Sequence, residues 1–317
     1  MPLPRLLITR RVYVDVLESL SGVFEIQHNQ DKDEPLSKSE LMRRLADKEY
    51  LLSTVVDRID EDVLAAAPRL KCIATGAVGT NNIDLKACAA RGISVTNTPD
   101  VLTETTADFA WTLLMATARR LTEAEQYLRQ GQWKGWSFDQ LAGVDVYGST
   151  LGILGMGRIG SAIARRAHGF GMPVQYHNRR PAPDSAGARY VDKETLFRES
   201  DFVVLVVPYS PETHHIVAAK ELALMKKSAC LINIARGGVV DDKALVQALG
   251  NGTIRAAGLD VFEGEPALDP GFLPLSNVVL TPHIASSTRA TRGAMMQLAA
   301  DNLLAHVHGR PLLTQVS

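Results

Sequence analysis

Cysteine is scarce in this chain. Cys72, Cys88 and Cys230 are the only three among 317 residues, and none stands in C-x-x-C spacing. An odd, scattered set argues against a disulfide framework and against a structural zinc site, and small buried thiols are expected instead. An excess of either charge is also missing: 34 basic residues face 35 acidic ones, a formal charge of −1. Without a bulk basic field, neither nucleic acid nor an acidic membrane surface is an expected partner. Long apolar runs are absent too. The longest uncharged stretch, Pro270 to Thr288, contains three prolines and a histidine, so it is no membrane helix. Leu6-Leu7-Ile8 is too short for a signal-peptide core, and a cytoplasmic protein is expected. No low-complexity tract or short repeat appears.

What is present is ordinary globular material: 46% hydrophobic and 22% charged residues. At roughly 150 residues per domain, the length suggests two domains. Short β-rich runs alternate with helical patterns. In the first part, strands are expected at Arg5 to Thr9, Val23 to Ile26, Tyr50 to Val55, Leu70 to Thr75 and Ile93 to Thr96, with helices between. In the second, they are expected at Leu151 to Leu154, Val174 to Tyr176, Phe202 to Val207, Ala229 to Ile234, Ala256 to Leu259 and Val278 to Leu280. Strands alternating with helices of about ten residues mean right-handed βαβ units and parallel sheets. Between the two sets, Thr103 to Arg119 reads as a long, nearly uncharged helix, followed by another over Leu121 to Gly131. A helix apolar most of the way round must be buried, in a domain seam or against a second subunit, and the subunit seam is the favoured reading. The last helix is expected from Ser287 to Val307.

Leu151-Gly-Ile-Leu-Gly-Met-Gly-Arg-Ile-Gly160 contains Gly155-x-Gly157-x-x-Gly160 between an apolar strand and a helical pattern, the context a dinucleotide fingerprint requires. Gly155 permits the tight turn, Gly157 lets a pyrophosphate approach, and Gly160 lets helix and strand pack. An NAD site places an acid after the next strand, about 20 residues on, to hold the ribose. Here the segment reads Tyr176-His177-Asn178-Arg179-Arg180. Two guanidinium groups suit a 2′-phosphate, so NADP(H) is expected over NAD(H). The alternative is that both arginines are ordinary solvated loop charges.

Three polar residues stand at strand ends in an otherwise apolar half: Arg236, Glu265 and His283. Ligand crevices in open α/β sheets lie beyond the carboxyl ends of strands. Reduction of a 2-oxo acid needs a cation for the carboxylate, a hydride at the carbonyl carbon and a proton for the oxygen. Arg236 offers a fork for the carboxylate, His283 a proton, and Glu265 an orienting charge for the imidazole. Taken singly, each has an ordinary structural reading.

At these residues the chain resembles the D-2-hydroxyacid dehydrogenase family over almost its whole length. The matching segments are Gly76 to Asp84, Asn97 to Thr105, the glycine loop, Asn233 to Gly237, Gly258 to Pro266 and Thr281 to Ile284. The resemblance implies two Rossmann-like, doubly wound parallel-sheet α/β domains separated by a cleft. Residues 1–98 with 287–317 would form a discontinuous substrate domain, and residues 99–286 the dinucleotide domain with the dimerisation helices. A hinge is expected near Pro99 and Ser286.

It also implies that Arg236, Glu265 and His283 are the catalytic set and that backbone N–H groups around Val78 and Gly79 help grip the substrate carboxylate. Thr105 and Asp260 match nicotinamide-pocket positions, and Pro208 the adenine side. The cofactor shell then comprises Thr105, Gly155, Met156, Gly157, Arg158, Ile159, Gly160, His177, Asn178, Arg179, Arg180, Pro208, Thr213, Ile234, Ala235, Asp260 and His283. A homodimer is implied, with no metal.

The segment His177 to Arg180 is most similar to NADPH-dependent glyoxylate/hydroxypyruvate reductases and 2-ketogluconate reductases. Gly309 to Val316 is similar to hydroxyphenylpyruvate reductases. Leu141 stands where some members carry an aromatic residue, within a segment, Lys134 to Gly148, that in relatives reaches toward the partner's substrate cleft. The expected activity is reduction of glyoxylate, hydroxypyruvate or 2-ketogluconate. The alternatives are an aromatic 2-oxo acid reductase, an NAD-linked dehydrogenase, or a cofactor-sensing binding protein like some co-repressor relatives.

Other features read as structural. His214-His215, placed on a helix, would point about 100° apart, with no nearby carboxylate to complete a metal site. Trp133 and Trp136 are expected as packing anchors, and Asp31 to Glu34 as a solvated loop.

Overall fold

In the computed structural model, which describes residues 2–317, the chain divides into two compact units. One ends at Leu102 and is completed by Ser287–Ser317; the other is Thr103–Ser286. Residues 99–102, which the sequence reading placed in the second part, belong to the first.

The first unit runs β1 (Arg5–Ile8), α1 (Val14–Leu20), β2 (Glu25–His28), α2 (Lys38–Leu45), β3 (Tyr50–Ser53), α3 (Glu61–Ala65), β4 (Cys72–Thr75), α4 (Leu85–Ala90) and β5 (Ser94–Thr96). All five strands are parallel, in the order β2-β1-β3-β4-β5. β3 and β4 are buried along their whole length, as strands covered on both faces must be. One face packs Leu7, Leu51, Ile73 and Val95 under α2, α3 and α4. The other packs Leu6, Ile8, Leu52 and Ala74 with residues of the last helix. Helix starts follow capping chemistry: Ser37, Asp60 and Asp84 accept from the N–H three residues on. β2 begins two residues later than the apolar pattern suggested, because Phe24 turns inward to pack edge-on against Tyr50.

The second unit contains α5 (Thr103–Ala118), α6 (Leu121–Arg129), β6 (Leu151–Leu154), α7 (Arg158–Ala167), β7 (Val174–His177), β8 (Arg189–Tyr190), α8 (Lys193–Glu199), β9 (Phe202–Leu205), α9 (Ala219–Leu224), β10 (Cys230–Asn233), α10 (Asp242–Gly250), β11 (Ala256–Leu259) and β12 (Val278–Leu280). Its seven parallel strands lie in the order β12-β11-β10-β9-β6-β7-β8. The order reverses between β6 and β9, which makes their carboxyl ends the expected ligand crevice. β8 escapes sequence reading because it is two exposed residues long. α11 (Arg289–Val307) then returns to the first unit and packs on β4, β3 and α1.

The long apolar helix is largely buried, as its composition requires, and packs within its own unit. α5 is covered within its own unit by α7 and by β10, β11 and β12. Trp111 stacks on Phe170 at 4.6 Å, and its Nε1 donates to the Ile163 carbonyl at 3.2 Å. Gly258 in β11 makes room: a Cβ there would lie 2.5 Å from Thr117 Oγ1 and 2.8 Å from Leu113 Cγ. Exposed apolar groups lie just beyond this helix instead. Leu121 and Leu128 on α6 are exposed, as are Trp133, Trp136, Phe138 and Tyr147 on the following arm. The two tryptophans are therefore not packing anchors within the chain.

All three cysteines are buried, and burial pushes Cys72 and Cys230 up to about 12 and Cys88 to about 11. Among the described residues, no helix is long and apolar enough to cross a membrane.

Candidate active site

The second unit supplies most of the candidate residues. After β6 the backbone turns through Gly155 at φ +107°, where a Cβ would press on the backbone of Val206 and Val207 at 2.8–2.9 Å. Only glycine fits there. Gly160 is equally constrained, since a Cβ would meet the Gly155 carbonyl oxygen at 2.3 Å. Gly157 differs, with nothing within 4 Å of its Cβ position. It also opens α7 without a side-chain cap. An uncapped helix N-terminus beside open space fits an anionic pyrophosphate, whose oxygens would meet first-turn N–H groups around Arg158 and Ile159.

Asn178 has an additional role. Its Oδ1 accepts the Met156 N–H at 2.6 Å, and its Nδ2 donates to the Met156 carbonyl at 3.3 Å. The amide standing just after β7 thus fastens the glycine loop. Arg179 and Arg180 are exposed. His177 Nδ1 bonds the Val191 carbonyl at 2.9 Å, and its ring stacks on Tyr190. Across the reversal, Thr213 Oγ1 donates to the Pro208 carbonyl at 2.7 Å and accepts from the Ser210 N–H at 2.7 Å, closing the loop after β9.

Arg236 follows β10, with Ile234 and Ala235 buried behind it. The Asn233 side chain shapes this exit by accepting the Ala235 N–H at 3.1 Å. A Cβ at Gly237 would lie 1.7 Å from the Phe262 carbonyl oxygen, so glycine there lets the Arg236 loop press against the chain leaving β11. Burial pulls the Arg236 guanidinium down while the Glu265 charge supports it. Arginine stays protonated in proteins regardless.

Glu265 sits six residues beyond β11. Its Oε1 accepts the Phe262 N–H at 2.9 Å, and its Oε2 lies 2.8 Å from His283 Nδ1. Burial raises the Glu265 carboxyl, but the His283 hydrogen bond and charge, the Phe262 N–H and the Arg236 charge hold it below its ordinary range. An ionised carboxylate only accepts, so Nδ1 carries a proton here.

His283 has φ +54°, a left-handed conformation unusual for a side chain of its size. Asp260 enforces it. Fully buried after β11, Asp260 accepts the His283 N–H on its carbonyl at 2.9 Å. Its carboxylate accepts Thr281 Oγ1 at 2.7 Å and the Ile284 and Ala285 N–H groups at 2.8 Å. Burial raises the Asp260 carboxyl against these bonds. Asp260 therefore builds the His283 loop, a task the sequence did not reveal.

Thr105 is partly buried on the first turn of α5. Val78 and Gly79 lie in the first unit, on the loop after β4.

The reading of His214-His215 needs correction. The pair lies in a turn, with His215 at φ +50°, and the rings stack at 3.8 Å. A carboxylate is near after all: Glu263 Oε2 lies 3.0 Å from His215 Nε2. His214 Nδ1 lies 3.2 Å from the Tyr209 hydroxyl. One ligand atom each of His214, His215 and Glu263 falls within 4.8 Å of the others, and the His215–Glu263 hydrogen bond ties the turn to the Glu263 loop.

A glycine loop at a sheet reversal and an Arg, Glu and His set beyond three neighbouring strands lie in one unit of the chain. The D-isomer specific 2-hydroxyacid dehydrogenase NAD-binding domain matches residues 111–285. The chain belongs to the D-isomer specific 2-hydroxyacid dehydrogenase family. It is thus an oxidoreductase of that family with a dinucleotide-binding domain.

A family relative, the glyoxylate reductase of Thermococcus kodakarensis, is 48% identical over 313 residues, covering 96% of this chain and 94% of that one. The glyoxylate reductase of Korarchaeum cryptofilum is 49% identical over 311 residues, covering 96% and 93%. Among solved structures of the family, an NADPH-dependent glyoxylate/hydroxypyruvate reductase from Sinorhizobium meliloti, in complex with NADP and malonate, superposes with a TM-score of 0.90. It is 39% identical, with 99% of this chain and 97% of that one covered.

Proposed function

We propose that this dehydrogenase reduces small 2-oxo acids, glyoxylate first, with NADPH. The observation that carries the reading is the Arg236, Glu265 and His283 set, assembled at the carboxyl ends of β10, β11 and β12 of the sheet that bears the glycine loop. The relatives named glyoxylate reductase, nearly half identical over almost the whole chain, support the choice of substrate.

The nicotinamide cofactor supplies the hydride that reaches the carbonyl carbon. The protein's residues do the rest. Arg236 binds the substrate carboxylate. In the first unit, the Val78 and Gly79 N–H groups are proposed carboxylate contacts. Glu265 holds Nδ1–H of His283, so Nε2 presents the proton that the developing alkoxide takes. The glycine loop with Met156, Arg158 and Ile159 holds the pyrophosphate. Pro208 would lie on the adenine side, Thr105 and Asp260 would line the nicotinamide pocket, and Thr213, Ile234 and Ala235 would complete the cofactor shell. Arg179 and Arg180 bind the 2′-phosphate, in place of an acid that would hold a ribose hydroxyl. Hydroxypyruvate and 2-ketogluconate are further substrates on this reading. The working unit is a homodimer, supported by the exposed aromatic arm Trp133 to Tyr147.

The test is product formation. Glyoxylate with NADPH should yield one glycolate per NADPH oxidised, and His283→Asn should slow turnover on the order of 10²- to 10⁴-fold while keeping the wild-type circular dichroism spectrum. No glycolate from the wild type, or near-normal turnover by His283→Asn, would overturn the reading. A higher kcat/KM for hydroxyphenylpyruvate than for glyoxylate would shift the substrate class.

A further inference from the structure

Within the first unit, two backbone hydrogen-bond anchors converge on the loop after β4. Asn97 Nδ2 donates to the Val78 carbonyl at 2.8 Å, and the Thr98 N–H donates to the Ala77 carbonyl at 2.8 Å. A trans peptide plane points its C=O and N–H in opposite directions. The Ala77 carbonyl shares its plane with the Val78 N–H, and the Val78 carbonyl shares its plane with the Gly79 N–H. Fixing those two carbonyls therefore fixes both N–H groups, aiming them away from residues 97–98.

Residues 97–98 are themselves held by the C-terminal tail. Thr314 Oγ1 donates to the Asn97 carbonyl at 2.6 Å, and the Asn97 N–H donates to the Thr314 carbonyl at 3.2 Å. The Val316 N–H donates to the Val95 carbonyl at 2.8 Å, so the tail lies along β5. Asn302 of α11, fully buried, clamps the tail in turn. Its Oδ1 accepts the Leu313 and Thr314 N–H groups at 3.0 and 3.2 Å, and its Nδ2 donates to Thr314 Oγ1 at 2.9 Å.

We infer that Asn97 is a positioning residue for substrate binding, with the C-terminal tail as its anchor through Thr314 and Asn302. This rests on the reading that the Val78 and Gly79 N–H groups receive the substrate carboxylate. Asn97 acts through their peptide planes and touches no reacting atom.

The test uses Asn97→Asp, isosteric but unable to donate to the Val78 carbonyl, and Thr314→Ala with Thr314→Ser as its rescue. Three quantities are read: KM and kcat for glyoxylate, NADPH affinity, and the ¹⁵N order parameters of the Val78 and Gly79 amides. Losing one such hydrogen bond should raise KM about tenfold in Asn97→Asp, with kcat and NADPH affinity little changed. The two amides should lose order in Asn97→Asp and in Thr314→Ala, and Thr314→Ser should restore it. Unchanged KM, or a KM rise without loss of amide order, overturns the inference. If the wild type fails to turn over glyoxylate, the proposed function falls separately. The amide order then decides the positioning role alone, and unchanged order in Asn97→Asp overturns it.

Discussion

Asp242 shows how one buried carboxyl sets a pH dependence. It opens α10, is almost wholly buried, and its Oδ2 accepts the Glu263 N–H at 2.9 Å, two residues from Glu265. Burial raises it to about 6, helped by the charges of Glu263, Asp269 and Asp241 and opposed by the Glu263 N–H. Between its ordinary value near 4 and about 6, the folded form binds more protons than the unfolded one, so stability falls as pH rises through that window. The cost of ionising it in the fold at neutral pH is on the order of 3 kcal/mol. Asp242→Asn keeps an acceptor for the Glu263 N–H and removes the ionisation. The variant should be the more stable protein at pH 7.5 and equal to the wild type at pH 4, read from denaturation midpoints. A difference that does not change with pH would contradict this. Asp242 was invisible in the sequence because its role comes from tertiary burial. The glycines were legible because their requirement is local: Gly155 and Gly160 have neighbours that forbid a Cβ, and Gly157 has open space. Asp260 was legible only as a position near the cofactor, since its bonds to the 281–285 loop join segments that sequence spacing cannot connect.

β6, β11 and β12 have the ends that their apolar runs predict, while β9 and β10 are shorter than theirs. α5 is apolar most of the way round, and α7 and three strands of its own sheet pack on it. Exposed apolar side chains gather on α6 and the following arm, where Trp136 is 72% and Phe138 94% exposed. Apolar side chains grouped in this way mark an interaction surface, and a second copy of the chain is the proposed occupant. Light scattering should give twice the chain's 34.4 kDa. Replacing Trp136 and Phe138 together by Asp should shift the mass to that of one chain. A monomeric wild type would contradict the proposal.

For the molecule as a whole, alternation of strand and helix was enough to give two parallel α/β sheets, because right-handed crossovers leave few other arrangements. Strand order was not legible, and it matters. The reversal between β6 and β9 brings the glycine loop and the 208–213 loop together, while β10, β11 and β12 set Arg236, Glu265 and His283 in neighbouring register. The proposed function joins that catalytic set to an arginine-marked cofactor site. Its most direct test is the initial rate of cofactor oxidation at 340 nm with glyoxylate, comparing NADPH with NADH. Charge-assisted bonds from Arg179 and Arg180 to a 2′-phosphate should favour NADPH in kcat/KM by roughly 10- to 100-fold. Equal rates or a preference for NADH would reduce both arginines to surface charge, and no oxidation of either would contradict the catalytic reading itself.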